Sequence, residues 1–177
     1  MIYKFRILSG ESEDFIREIE INRESNFLDL HIAIQQACAY DGMQMSSFFL
    51  CDEFWERGKE FTLFKMDLGE AADKEEMAEA KLFDHISAIK EKLIYLFDFF
   101  SERGFFIEMV DKLEAVTGIT YPRCTISEGE APVQLMIGDE TEIATGYEDE
   151  WDDGLDELDD LGFENIDDID LDNLGEY

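Results

Sequence analysis

From Cys124 to Tyr177 the chain carries 20 of its 45 Asp and Glu residues and no Lys or Arg. A segment with that charge has no cation of its own to pair with, so a folded core has to be built upstream of it. Such a stretch recruits something cationic, repels something anionic, or keeps the protein in solution. Residues 1 to 123 hold the other 25 acids against all 14 bases, a net of −11 out of −31 for the whole chain. With 177 residues there is room for one hydrophobic core. We expect a globular domain over residues 1–138 and an acidic tail over 139–177.

The hydrophobic share of 45%, with 15 Phe, lies well above the composition of a disordered chain and points to an aromatic core. Negative charge opposes contact with nucleic-acid phosphate, which depends on Lys and Arg releasing counterions, and opposes anionic membrane surfaces for the same reason. There is no run of 18 apolar residues to span a bilayer. The start, Met1 to Ile7, alternates where a secretory leader would show a charged region and then an apolar stretch, so a cytoplasmic location is expected. Cys38, Cys51 and Cys124 form no CxxC pair and leave an odd thiol under any pairing, which suits reduced structural cysteines.

Residues 2–8 and 14–22 are β-prone runs around Ser9 to Glu13, with Phe15, Arg17, Ile19 and Ile21 in alternation, and predict an opening hairpin. Ser25 and Asn26 can cap a helix over residues 27–40, where Phe27, Leu30, Ile34, Ala37 and Cys38 fall at helical spacings. Short strands are predicted over 47–54 and 60–66, then a charged surface helix or loop over 67–82 and a helical turn over 82–89. Residues 92–100 and 105–116, joined by Ser101 to Gly104, give the strongest hairpin signal. Residues 121–132 read as irregular. One helix over these strands makes an α+β fold with a mixed sheet and one principal packed helix.

Three patches together resemble the plasmid Ri open-reading-frame-three-like family, which includes the passenger TnpR-like protein of an insertion element. They are Leu30, His31, Ile34, Gln35, Ala37, Tyr40 and Asp41; then Tyr95 to Phe99 leading into Ile107 and Glu108; then Pro122, Arg123 and Cys124 with Gly129, Ala131 and Pro132. The resemblance spans about residues 1–135 and leaves the acidic tail outside. It implies a β-grasp-like roll and, by name, a link to mobile elements. Where the family has His-Leu-His-x-Phe this chain has Gln44 to Phe48, and where it has Gly-Asp-x-Trp-x-His this chain has Phe100 to Phe105. No histidine-based metal or catalytic role therefore carries over.

The candidate functional loop is Asp98, Arg123 and Cys124. Asp98 lies among phenylalanines and needs a partner, for which Arg123 is proposed; Arg123 beside Cys124 could also favour the thiolate, and a structural Cys124 would pack beneath the loop. His31 on the apolar helix face could pair with Cys124 or Asp98 as a hydrolase unit, but a lone histidine there more often satisfies a core hydrogen bond. His85 has only Asp84 nearby. In the tail, Asp149, Asp153 and Gly154 match part of a calcium loop, but Trp151 and Asp160 occupy its third and twelfth positions, and Asn173 stands where Asp168, Asp170 and Asp172 would need glycine. No metal or cofactor is expected.

The leading expectation is a non-enzymatic binding or adaptor protein. Its tail, through Trp151, Leu155, Leu158 and Phe163, docks on its own domain or on a basic protein partner. The alternatives are a mobile-element accessory that mimics nucleic-acid charge, and a thiol- or carboxylate-dependent hydrolase using Cys124, Asp98 and His31.

Overall fold

Alternation of side chains sets the first strands. In β1 (Ile2–Ser9) the residues Tyr3, Phe5 and Ile7 are buried while Lys4, Arg6 and Leu8 project from the opposite side. β2 (Ile16–Asn22) returns antiparallel, from Leu8 opposite Ile16 to Ile2 opposite Asn22. The computed structural model describes residues 1–64 and 74–135. Its further elements are α1 (Phe27–Cys38), β3 (Ser47–Cys51), β4 (Arg57–Thr62), β5 (Lys74–Glu76), α2 (Leu82–His85), β6 (Lys92–Asp98), β7 (Arg103–Leu113) and β8 (Arg123–Glu128).

The eight strands form one sheet in the order β5-β4-β3-β6-β7-β1-β2-β8. Only β4 and β5 pair in parallel; every other neighbour is antiparallel, so the sheet is mixed and the fold is α+β with one principal helix. The expected early, middle and late strand regions all join this sheet. Two expectations fail. Lys74–Glu76, inside a stretch read as helix or loop, adds a short strand beside β4. Arg123–Glu128, read as irregular, pairs with β2. Pro122 and Gly129 argued against a strand there, yet they stand just outside it, where a missing N–H or a left-handed turn disturbs no ladder bond. β8 supplies hydrogen-bond partners along β2, whose backbone is otherwise unpaired on that side.

α1 begins with a reciprocal cap. The Asn26 side chain accepts from the Asp29 N–H at 2.9 Å, and the Asp29 carboxylate accepts from the Asn26 N–H at 3.2 Å. It ends at Ala39, whose left-handed backbone (φ 55°) lets Tyr40 N–H reach the Gln35 carbonyl at 2.9 Å. Phe27, Leu30, Ala33, Ile34 and Cys38 face the sheet. Below them aromatic rings interlock: Phe27 stacks on Phe61 at 3.9 Å, and Phe15 on Phe105 at 4.9 Å between centroids.

The helix has no basic residue in its last turn, and β2 provides one. Buried Arg17 donates to the Ala37 carbonyl of α1 (3.0 Å), to Ile16 (3.0 Å), to Glu128 at the end of β8, and to Gly129 (3.0 Å). Its guanidinium lies 4.5 Å from the Phe15 ring centroid.

Gly129 holds φ +65°, and a β-carbon built there would sit 2.5 Å from the Asp14 carbonyl oxygen. We predict that Gly129→Ala loses about 1–3 kcal/mol of stability through backbone strain and this clash. Urea unfolding measures it, and an unchanged midpoint would show that the turn can relax.

Candidate functional site

Asp98 ends β6 and is almost fully buried. Its Oδ1 accepts from the backbone N–H groups of Phe100 (3.0 Å) and Ser101 (3.1 Å), which shapes the turn into β7. The expected partnership with Arg123 is not formed. Arg103, directly across the ladder from Asp98, places Nη1 3.5 Å from Asp98 Oδ2 and holds Glu11 through two bonds of 3.0 and 2.7 Å. Local hairpin pairing thus supplies the cation before any remote arginine can. Burial alone would raise the Asp98 carboxyl, but the Ser101 and Phe100 N–H groups and the field of Arg103 bring it below the ordinary aspartate value.

Arg123 opens β8 and grips Glu20 of β2, at 2.8 Å through Nε and 2.7 Å through Nη2. Cys124 is exposed on β8 and is not packed beneath a loop; its Sγ donates to the Ile126 carbonyl at 3.0 Å. Its thiol stays above the ordinary value, because desolvation outweighs the opposing field of Arg17. Arg123 is no part of that balance, so the expected activation by the neighbouring arginine is absent. Cys124 on β8 and Asp98 on β6 are four strands apart in the sheet, about 19 Å at ordinary strand spacing.

His31 does satisfy a core bond. Its Nδ1 lies 2.8 Å from the Tyr95 hydroxyl and 3.1 Å from the Ser46 hydroxyl, while Gln35 Nε2 donates to the same Tyr95 oxygen at 2.6 Å. Burial pulls the His31 ring down to about 4 and pushes Tyr95 up to about 12, so both are neutral near pH 7. This cluster ties His31 and Gln35 of α1 to Tyr95 of β6 and to Ser46, and none of its hydrogen bonds reaches Cys124. The structure therefore does not assemble the Cys124, Asp98 and His31 unit. His85 meets Glu75, Nε2 to Oε2 at 3.2 Å, and its ring packs edge-on against Phe61. Among the described residues no group of three or more His, Cys, Asp or Glu is placed to hold a metal. No helix among them is long and apolar enough to cross a membrane. Trp151, Leu155, Leu158 and Phe163, and the calcium-loop positions, lie outside the described residues.

The surface that sequence reasoning missed is the sheet face opposite α1. Residues opposite one another across the ladders share a face, and Phe49, Ile94, Phe106, Leu8 and Ile16 form one unbroken row across β3, β6, β7, β1 and β2. The next row, Cys51, Lys92, Glu108, Arg6 and Glu18, is charged apart from its first member. Glu18 is buried beneath Lys4 (2.8 Å) and Arg6 (2.7 Å); these cations outweigh its desolvation and lower its pKa. Leu8 and Phe106 are 42% and 39% exposed, whereas a solvated sheet face normally carries polar residues at such positions. The signal was legible. Leu93 to Phe97 and Phe105 to Ile107 are apolar at both parities, as in strands covered on two faces.

Trp55, in the turn between β3 and β4, sets its ring edge-on to Phe106 at 5.0 Å, and Lys92 Nζ lies 4.8 Å from the Trp55 ring. The Arg57 guanidinium stands 5.2 Å from the Phe49 ring. Two clefts flank Phe106. One, of about 240 Å³, is lined by Ile94, Gly104, Arg57, Glu11 and Arg103; the other, of about 140 Å³, by Leu8, Val110, Arg6 and Trp55. A β-carbon at Gly104 would fall 2.7 Å from the Tyr95 carbonyl oxygen, so the close approach of β7 to β6 beside the larger of these two clefts requires glycine there.

The family model for the plasmid pRiA4b ORF-3-like protein matches residues 1–158. The chain belongs to that family. The match extends beyond the expected end near residue 135 and takes in Trp151, Leu155 and Leu158, so this part of the acidic segment is not outside the pRiA4b ORF-3-like pattern. Curated proteins give no match. Among solved structures the chain is similar to a protein of unknown function, MM3350, from Methanosarcina mazei Go1. The identity is 21% and the TM-score 0.61, with 71% of this chain and 68% of that one covered, which supports the fold.

Two outcomes follow from these contacts. Asp98→Ala and Arg103→Ala should couple by at least about 1 kcal/mol in a double-mutant cycle, while Asp98→Ala and Arg123→Ala add to within about 0.5 kcal/mol. Coupling to Arg123 instead would refute the observed pairing. The unfolded chain protonates His31 near its ordinary value of 6.5 and the folded chain only near 4. Stability from keeping the ring neutral is therefore complete above pH 6.5 and is lost as pH falls from there toward 4, by up to about 3 kcal/mol. Relative to wild type, His31→Gln should gain stability on going from pH 7 to 4.5; parallel pH profiles would deny His31 this role.

Proposed function

We propose that this protein is a non-enzymatic binding or adaptor module that meets its partner through the sheet face opposite α1. The observation that supports this is the five-residue apolar row Phe49, Ile94, Phe106, Leu8 and Ile16, flanked by cations stacked on aromatic rings. Half-exposed aromatics on a sheet face gain little for the monomer and much for an interface, where burial of each large side chain is worth about 1.5–3 kcal/mol. The side chains expected to do chemistry are engaged in internal bonds. Tyr95 and Ser46 meet His31, Arg103 and two backbone N–H groups meet Asp98, and the Ile126 carbonyl meets Cys124. The acidic segment from residue 139 onward, by composition alone, suits a second contact with a basic protein partner.

A photo-crosslinking amino acid placed at Phe106 in the full chain should give a discrete partner adduct in the host cell. One placed at Ile32, exposed on α1, should not. Leu8→Ser should abolish the adduct while leaving the unfolding free energy within about 0.5 kcal/mol of wild type, as for other exposed positions. Identical adducts at both sites, or none at Phe106, would sink the assignment.

A further inference from the structure

Each cleft beside Phe106 joins apolar walls to a carboxylate. Ile94 and Phe106 line the larger together with Glu102, and Leu8, Trp55, Phe106 and Val110 line the smaller together with Glu108. Neither Glu102 nor Glu108 makes an ion pair or a side-chain hydrogen bond among the described residues, although Arg6 and Lys92 stand directly opposite Glu108 on its two neighbouring strands. Both of those cations are engaged elsewhere. Arg6 turns to Glu18, with bonds of 3.0 and 2.7 Å, and Lys92 Nζ donates to the Glu53 carbonyl at 2.7 Å. Arg103, in the larger cleft, is held in the same way by Glu11. Arg57 is the one cation lining these two clefts that has no carboxylate partner among the described residues, and its guanidinium lies over the Phe49 ring.

A long cationic side chain suits such a slot at both ends, because its methylenes cover apolar wall while its head reaches a carboxylate or an aromatic ring. Lys92, with Nζ 4.8 Å from the Trp55 ring, already sits this way on the same face. Net charge then selects among the occupants of an apolar surface. The chain carries −31 overall, and its first 123 residues hold 25 acids against 14 bases. A second copy, an acidic segment or a phosphate surface therefore meets repulsion, whereas a basic segment is drawn in.

We propose that the two clefts are sockets for basic side chains, so that the partner of the outer face is a protein segment carrying Lys or Arg on either side of an apolar residue that covers Phe106. The proposal rests on the outer face being the recognition surface and adds what the partner presents to it. Gly104 and Glu108, which line the two clefts, are four residues apart along β7, about 13 Å, so the two basic residues stand about four apart in an extended segment or eight apart in a helix.

The test titrates a biotin-labelled peptide against the full chain carrying the photo-crosslinking amino acid at Phe106, and reads the peptide concentration that gives half the maximal adduct. The peptide repeats Lys-Thr-Phe-Thr over about 16 residues, which sets Lys at both spacings, and its control has Glu in place of each Lys. The basic peptide should label saturably and the acidic one should not. Glu102→Gln with Glu108→Gln should raise the half-saturating concentration about tenfold, and Glu102→Gln alone, in an exposed turn, about threefold. Glu79→Gln with Asp84→Asn, which removes the same charge from exposed positions off the sheet, should change it by less than about twofold. No adduct with the basic peptide, equal labelling by both peptides, an unaltered concentration in the Glu102 and Glu108 variants, or equal losses in the two double variants overturns the proposal. If it fails while the host-cell adduct at Phe106 persists, the outer face remains a binding surface for a partner of other chemistry; if that adduct is missing too, both readings fall.

Discussion

The Arg17 guanidinium sits where three parts of the chain converge, and its donors are met by backbone carbonyls of α1, β2 and the residues that close β8. Each of these carbonyls lies at or next to the end of an element, where regular hydrogen bonding runs out. One buried side chain thus completes the C-terminus of the helix, fixes its position over β2, and ties down β8, more than a hundred residues later in sequence. The positive charge also opposes the negative end of the helix dipole, which no residue of the last helical turn does. Through β8 it reaches Arg123 and Glu20, so the outer face at that edge depends on the same anchor.

The opposite end of the molecule is organised by a different balance. Asp98 bends the chain between β6 and β7 through two N–H groups, and Arg103 compensates its charge while reaching Glu11 in the β1–β2 turn. Two hairpins are thereby pinned at their tips. Between these ends the His31, Tyr95, Gln35 and Ser46 cluster gives the helix a polar footing in an otherwise aromatic interior. Every member stays uncharged near neutral pH, so its direction-dependent bonds select one position of the helix without burying an ion.

Much of the architecture was legible because local signals agreed with one another. Asn26 before an apolar helical stripe marked the start of α1, and the β6–β7 hairpin announced itself through two β-prone runs around a turn. The misses share a cause. β8 and β5 are strands because a neighbour offered an open edge, and neither Thr125 and Ile126 nor Lys74 and Glu76 carry enough pattern to declare it. Arg103 was overlooked as the Asp98 partner because Ser101 to Gly104 read as a turn, whereas the first strand residue of β7 falls directly opposite Asp98. The outer face needed register as well as parity: only the ladder shows that Phe49, Ile94, Phe106, Leu8 and Ile16 stand in line.

β8 is the last strand of the sheet among the described residues, and it is not straight. Glu18 faces Ile126 and Ile19 faces Cys124, so Thr125 is an extra residue in the ladder, and its hydroxyl turns inward to the Glu18 carbonyl at 3.3 Å. The thiol of Cys124 occupies the Ile126 carbonyl just beyond it. A flat, open edge is a template on which identical chains stack into fibres. Here the extra residue breaks the template's periodicity, so the same six residues that complete the sheet make a poor template for its extension by another chain.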